Sequence, residues 1–349
     1  MNVNRIIEVY QGETLNALRE FIFAWWQHNN ITAVLAPVEL SNPAGVQLAV
    51  IEDPQQLMSV NPFAPVMINN TAGEALQILD NHSFEKLALI LRPCELRTFI
   101  ELGNIGRLPT GLENTLLVGV DCPGVLHPDE FRRQVDILGV ETLTRSVLHD
   151  LSEGHLQSTS MRKACQICRW SSPSRADVVI GVMGVDVESV ILIIARDEII
   201  DAREHLERVT FKLASEYQLS HRETILGALA EKREEVRNKM NANFQDQCPF
   251  NDLGCLLSFF ANCTLCGQCL RACPIFEFRK TASLHKASLV EDLVLISRWL
   301  ASCTGCGMCE QECEQGVPLS LVVNSLNHRI CQELQYTPGE INQEVPWIK

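Results

Sequence analysis

Apolar and polar positions run in two rhythms along residues 1–196. The runs ITAVLAPVEL (31–40), VQLAVI (46–51), KLALILR (86–92) and TLLVGVDC (115–122) are short and rich in Val, Ile and Leu. Such runs, bounded by turn-forming residues, predict strands. Between them, ETLNALREFIFAWWQH (13–28), EALQILDNH (74–82), PCELRTFIEL (93–102) and the stretch 128–151 repeat apolar residues every three to four positions, which predicts helices. The most apolar stretch, VVIGVMGVDVESVILIIA (178–195), contains Asp186, Glu188 and two glycines, so it reads as two buried strands and not as a membrane span. Strands alternating with helices argue for an α/β domain with a largely buried sheet.

The rhythm changes after residue 196. Segments 197–217 and 222–244 are charged and amphipathic, which predicts a helical connector over 197–247. The stretch QDQCPFNDLG (245–254) brings in Pro and Gly and opens a last domain, 248–349. Within it LVEDLVLISRWLAS (289–302) has helical spacing, and YTPGEINQEVPWIK (336–349) reads as a loosely held tail.

Composition narrows the function. The 349 residues are 46% hydrophobic and 21% charged, enough to bury a core. With 29 basic against 43 acidic residues the formal charge is −14, which argues against nucleic acid or an anionic membrane surface as a partner. The first residues carry no basic region followed by an apolar one, so the chain is expected to be soluble and cytoplasmic. No Ser/His/Asp triad, P-loop or metal-hydrolase motif is present.

Fifteen cysteines change the picture. CTLCGQCLRAC places them at Cys263, Cys266, Cys269 and Cys273, and CTGCGMCEQEC at Cys303, Cys306, Cys309 and Cys313. In a repeated C-x-x-C-x-x-C-x-x-x-C run, three close thiolates hold one [4Fe–4S] cluster and the fourth cysteine ligates the other. The expected sets are Cys263, Cys266, Cys269 with Cys313, and Cys303, Cys306, Cys309 with Cys273. Zinc fits poorly, since it favours two pairs of ligands with a longer gap between them. Gly267 and Gly307 let the backbone come close to the cluster. The helical spacer between the runs resembles the α-helical ferredoxin domains of the heterodisulfide-reductase and succinate-dehydrogenase type. One departure is local: Pro274 follows Cys273, whereas Cys313 is followed by EQGVP.

Four more cysteines lie upstream. Cys94 and Cys122 each follow a predicted buried strand directly, and Cys165 and Cys168 form a C-x-x-C pair in KACQICRW. The carboxyl ends of parallel strands share one sheet edge, so a third thiolate set is one reading. Small core residues and a redox-active dithiol are others. The order RPCELRTFIEL, then GVDCPG, then CQICRWSSPSRADVVIGVMG resembles the beta-subunit family of coenzyme F-420-reducing hydrogenases and F-420-linked formate dehydrogenases over about residues 30–195. That resemblance implies a third [4Fe–4S] cluster on Cys94, Cys122, Cys165 and Cys168. It also implies an FAD beside that cluster, contacted from the stretch 62–72 by Asn69, Asn70 and Thr71 and from Pro93, Gly181 and Gly184. No GxGxxG signals a dinucleotide site independently.

The remaining Cys248, Cys255 and Cys331 read as structural, His127 and His285 as surface or packing residues, and Trp25–Trp26 as core. The resulting expectation is an iron–sulfur flavoprotein subunit of a larger oxidoreductase. Its catalytic partner would be a formate dehydrogenase, hydrogenase or heterodisulfide-reductase-like subunit, accompanied by further iron–sulfur subunits. Its soluble carrier would be a deazaflavin, a ferredoxin or NAD(P)H. The alternative is a flavin-free, ferredoxin-like adaptor with no substrate of its own.

Overall fold

The computed structural model describes residues 2–41, 44–109, 114–155, 160–196, 199–200, 205–206, 209–249, 252–276, 289–341 and 343–347. Strand β1 (Asn2–Glu8) and helix α1 (Thr14–Asn29) come first, followed by β2 (Ala33–Ser41), β3 (Ala44–Ile51) and α2 (Thr71–Leu79). Then come β4 (Leu87–Leu91), α3 (Pro93–Asn104), β5 (Thr115–Val120), α4 (Pro128–Leu138), α5 (Val140–Ser152), the short turn α6 (Lys163–Gln166), β6 (Val178–Gly181) and β7 (Val190–Arg196). With β8 (His205–Leu206) and β9 (Val209–Leu213) the strands form a nine-stranded sheet of order β3-β2-β4-β5-β6-β7-β1-β9-β8 among the described residues.

Only β2, β4, β5 and β6 run parallel to their neighbours in sequence along this order; β3, β7, β1 and β9 add antiparallel pairs at either side. β4 shows why the centre is buried on both faces. Ala88 and Ile90 enter one core, with Phe21 and Trp25 of α1, while Leu87, Leu89 and Leu91 enter another, with Ala75 of α2 and Phe99 of α3. Successive side chains of a strand point to opposite faces, so a continuous apolar run is what a sheet covered by helices on both sides requires.

Two expectations about elements need correction. The segment read as helical after residue 196 contains β8 (His205–Leu206) and β9 (Val209–Leu213), and β9 pairs with β1. Val209 and Phe211 are buried while Lys212 is exposed, so the period of two in VTFKL outweighs the surrounding charge. The sheet therefore continues past the expected boundary at 196. β1 itself lies in the polar N-terminal stretch that suggested no element. The helix expected over 128–151 is broken at Gly139, whose φ of 77° belongs to neither α4 nor α5.

The connector proper is α7 (Glu216–Gln247), opened by a capping box between Ser215 and Gln218. The cysteine-rich part follows with α8 (Leu253–Ser258), the turn α9 (Gln268–Arg271), α10 (Leu289–Ala301), the turn α11 (Met308–Gln311) and α12 (Leu319–Leu334). The tail is not loose. Tyr336 is 2% exposed and its hydroxyl donates to Glu101 Oε2 at 2.6 Å, while the Gly339 N–H donates to the same oxygen at 2.9 Å. No helix among the described residues is long and apolar enough to cross a membrane.

Candidate metal centres

The upstream cysteines meet because of where β4 and β5 end. β4 passes through Arg92 into α3, and Cys94 occupies the second position of that helix. A helix N-terminus favours a thiolate there. The turn is fixed by Glu95, which accepts the Arg92 N–H at 2.8 Å, and by the Arg92 guanidinium, which donates to the carbonyls of Ala64 and Val66. β5 ends at Val120, and the N–H of Cys122, two residues on, donates to Ser171 O at 2.9 Å. Beyond it Leu126 pairs with Met161, and the Arg162 N–H donates to Val125 O. That strand-like contact carries α6 and Cys165 to the edge, where the Val125 N–H points at Cys165 Sγ at 3.4 Å.

Cys94 and Cys122 each feel neighbouring sulfurs of the set. Burial pushes the Cys94 thiol well up, helped by the charges of Glu95, Cys122 and Cys168. Burial pushes Cys122 up to about 12 against the pull of Arg92, with Cys165 and Cys168 adding to the rise. Thiols held neutral by burial become ligands when a metal takes up the thiolate charge.

In the cysteine-rich part, Cys263, Cys266, Cys269 and Cys313 line a single recess of about 460 Å³ including its open mouth. Burial raises the Cys269 thiol, and Cys313, Cys263 and Cys266 add to it. The second run draws in Cys273 instead. Burial lifts Cys303 to about 12 and Cys306 to about 11, with Cys273 adding to each, and Cys309 rises through burial and then Cys303 and Cys273. The fourth cysteine of each run thus sits with the other run. The Trp299 indole N–H points at Cys273 Sγ at 3.2 Å. Gly267 and Gly307 both take φ of 72° and open the turns α9 and α11. The positions two residues before them also share a left-handed backbone, Leu265 at 57° and Gly305 at 74°. No three of these side chains among the described residues close on a point that would hold a lone metal ion; the first set rings a space.

These residues fit polynuclear iron–sulfur chemistry by donor type, by grouping in fours and by the glycine turns beside the sulfurs. The sheet-edge set and the second run also share a wall. A Cβ on Gly307 would come within 2.3 Å of Ala164 Cβ. Arg162, from the same turn, donates to Cys306 O at 3.0 Å and reaches Cys165 Sγ at 3.9 Å. α3 fastens the other side: Thr98 and Thr304 hydroxyls meet at 2.7 Å, and Arg97 donates to Thr304 O at 3.1 Å. Arg107, just past α3, donates to the carbonyls of Pro274 and Ile275.

Residues 260–317 match the 4Fe-4S dicluster domain. This dicluster domain contains both runs. Over 295 residues the chain is 22% identical to the F420-dependent formate dehydrogenase subunit beta of Methanocaldococcus jannaschii, covering 75% of this chain and 76% of that protein. The fold is similar to that of a chain in the F420-reducing [NiFe] hydrogenase complex from Methanosarcina barkeri, with a TM-score of 0.51 and 10% identity over 69% of this chain and 92% of that one.

The residues expected to hold a flavin have other partners. A Cβ on Gly181 would lie 3.1 Å from the Arg222 guanidinium, and one on Gly184, at φ 68°, would lie 2.6 Å from Arg222 Cα. These glycines make room for α7. Asn70 caps α2 by accepting the N–H groups of Ala72 and Gly73, leaving its Nδ2 unpartnered; Asn69 donates to Glu74, and Thr71 donates to Glu95. Pro93 is the first residue of α3. These positions serve the packing and capping of the fold.

Sequence reasoning missed the role of α7 at the sheet edge. Arg222 forms a two-pronged ion pair with Asp121, the residue before Cys122, and Asp121 also accepts the N–H groups of Val182 and Met183. Arg233 donates to Ser171 Oγ and Pro123 O. Both arginines are buried and clamp the loops that carry Cys122 and Cys168. Charged residues inside an otherwise polar helix gave no signal of this, because the partners are distant in sequence. Cys248 and Cys255 are joined in a disulfide, a pairing the separate structural readings did not include. The Cys331 thiol donates to Ala301 O and is pushed up to about 11, first by burial. His127 caps α4 at the surface, Trp25 and Trp26 are core, and His285 lies outside the described residues.

Proposed function

We propose that this chain is an iron–sulfur electron-transfer subunit of a multi-subunit oxidoreductase of the formate dehydrogenase or hydrogenase type. Three [4Fe–4S] clusters would be held, on Cys94, Cys122, Cys165 and Cys168, on Cys303, Cys306, Cys309 and Cys273, and on Cys263, Cys266, Cys269 and Cys313. When bound, each cluster supplies one-electron transfer. The protein's part is to hold the clusters in series and keep water from the inner ones. The observation that carries this reading is the shared wall between the sheet-edge cysteines and the second run of the dicluster domain, with Ala164 against Gly307 and Arg162 spanning both. Cys263 and Cys266 are exposed, which supports the first cluster as the surface contact for a catalytic or iron–sulfur partner subunit. The helices α10 and α12 around the runs support a helical ferredoxin-type domain.

The relatives named for F420 support a deazaflavin as the soluble carrier, with a ferredoxin or NAD(P)H as alternatives. FAD rests on the resemblance alone. The flavin-free adaptor is the competing reading, favoured by the occupied surroundings of Gly181 and Gly184. Anoxic purification followed by iron, sulfide and flavin determination tests both. About twelve irons per chain are expected from three cubanes. About eight irons would remove the sheet-edge cluster and sink the reading as stated, while released flavin separates the flavoprotein from the adaptor.

A further inference from the structure

We propose that Arg162 is the electrostatic bridge between the sheet-edge cluster and the second cluster of the dicluster domain, raising the reduction potentials of both. This rests on the cluster reading above. Arg162 is 7% exposed. Its Nη2 donates to Cys306 O at 3.0 Å and faces Met67 Sδ at 3.6 Å and Cys165 Sγ at 3.9 Å. Its Nη1 donates to Gln311 Oε1 at 2.7 Å and faces Met308 Sδ at 3.6 Å, and its Nε has no partner. Every one of these acceptors is neutral except a sulfur that becomes anionic on binding metal.

Among the other buried arginines, Arg222 has Asp121 in a two-pronged pair and Arg92 has Glu95, while Arg233 donates to Ser171 Oγ and Pro123 O. Burying a guanidinium without an anion is strongly unfavourable. The cysteines against Arg162 are Cys165, through its sulfur, and Cys306, through its carbonyl, one from the sheet-edge set and one from the second run. Two anionic clusters on either side supply the missing counter-charge. A fixed cation between them makes adding an electron to either easier, since nearby charge and burial set cluster potentials. Glu95, the carboxylate beside Cys94 in sequence, is already engaged by the Arg92 and Thr71 N–H groups and the Thr71 hydroxyl.

The test is an anoxic redox titration of the full chain, followed by electron paramagnetic resonance, for the wild type, Arg162→Gln and Arg162→Lys. Arg162→Gln is expected to keep its iron while the potentials of the sheet-edge and second clusters both shift downward. The cluster on Cys263, Cys266, Cys269 and Cys313 should stay unmoved as an internal reference, and Arg162→Lys should recover most of the shift. Three clusters with unmoved potentials in Arg162→Gln overturn this proposal alone. A wild type with only two clusters overturns the sheet-edge cluster and this proposal together. Should Arg162→Gln lose iron, Arg162→Lys decides: full iron with near-normal potentials supports the charge, and loss of iron with the charge retained assigns Arg162 to packing and overturns the proposal.

Discussion

At the scale of residues, the candidate centres depend on a few groups whose partners are far away in sequence. Asp121 is 1% exposed and Arg222 4% exposed, so removing one leaves the other buried and uncompensated. Arg222→Ala is expected to cost about 3–5 kcal/mol of stability, read as a lower midpoint in denaturant titration of the anoxic holoprotein. Cys165→Ser should leave about eight of about twelve irons by iron analysis, with both dicluster signals intact; unchanged iron would show that the KACQICRW pair is not a ligand. Gly307→Ala meets Ala164 and a left-handed backbone at once. It should weaken the contact between the two centres, visible as iron lost from the second cluster before the first. The cysteine sets were readable as types and spacings, because a short run fixes which sulfurs can reach one cluster. Arg162, Arg222 and Arg233 were not, because an arginine in sequence carries no mark of whether its charge will be buried.

At the scale of elements, α3 is the hub. Cys94, Thr98 and Glu101 recur every three to four residues and so share a face, and that face meets the sheet-edge set, the second run and the tail in turn. Tyr336→Phe would leave the buried Glu101 carboxylate with one partner fewer, a loss of about 1–3 kcal/mol. Limited proteolysis should then cut after residue 335 in the variant under conditions that spare the wild type. The strands β2, β4, β5, β6 and β7 were legible from their apolar runs, and α1, α2 and α3 from their helical period. β9 was hidden among charged neighbours, and β1 in a polar stretch, because both are recruited by pairing with strands elsewhere in the chain. The tail was misjudged for the same reason. Its polar composition suggests a free end, while Tyr336 and Gly339 supply two hydrogen bonds that a buried glutamate needs.

At the scale of the whole molecule, burial grades the three centres. Cys263 and Cys266 are exposed, whereas the cysteines of the other two sets are half-buried. Brief air or chelator exposure should therefore strip the cluster on Cys263, Cys266, Cys269 and Cys313 first. Iron content against time, with the spectrum of each cluster followed separately, should show that loss ahead of the other two; simultaneous loss would mean the shared wall gives no protection.

By itself, the sequence determined the α/β character of the first part and the two cysteine runs, and it predicted that the fourth cysteine of each run sits with the other. Those features depend on local period and short spacing, which survive without a fold. The tertiary structure alone decided that Cys94, Cys122, Cys165 and Cys168 meet, that Gly181 and Gly184 make way for α7, and that Arg162 lies between two thiol sets. Each of these depends on which strand ends adjoin and which charges lose their water, and the chain acquires those relations only when distant segments pack.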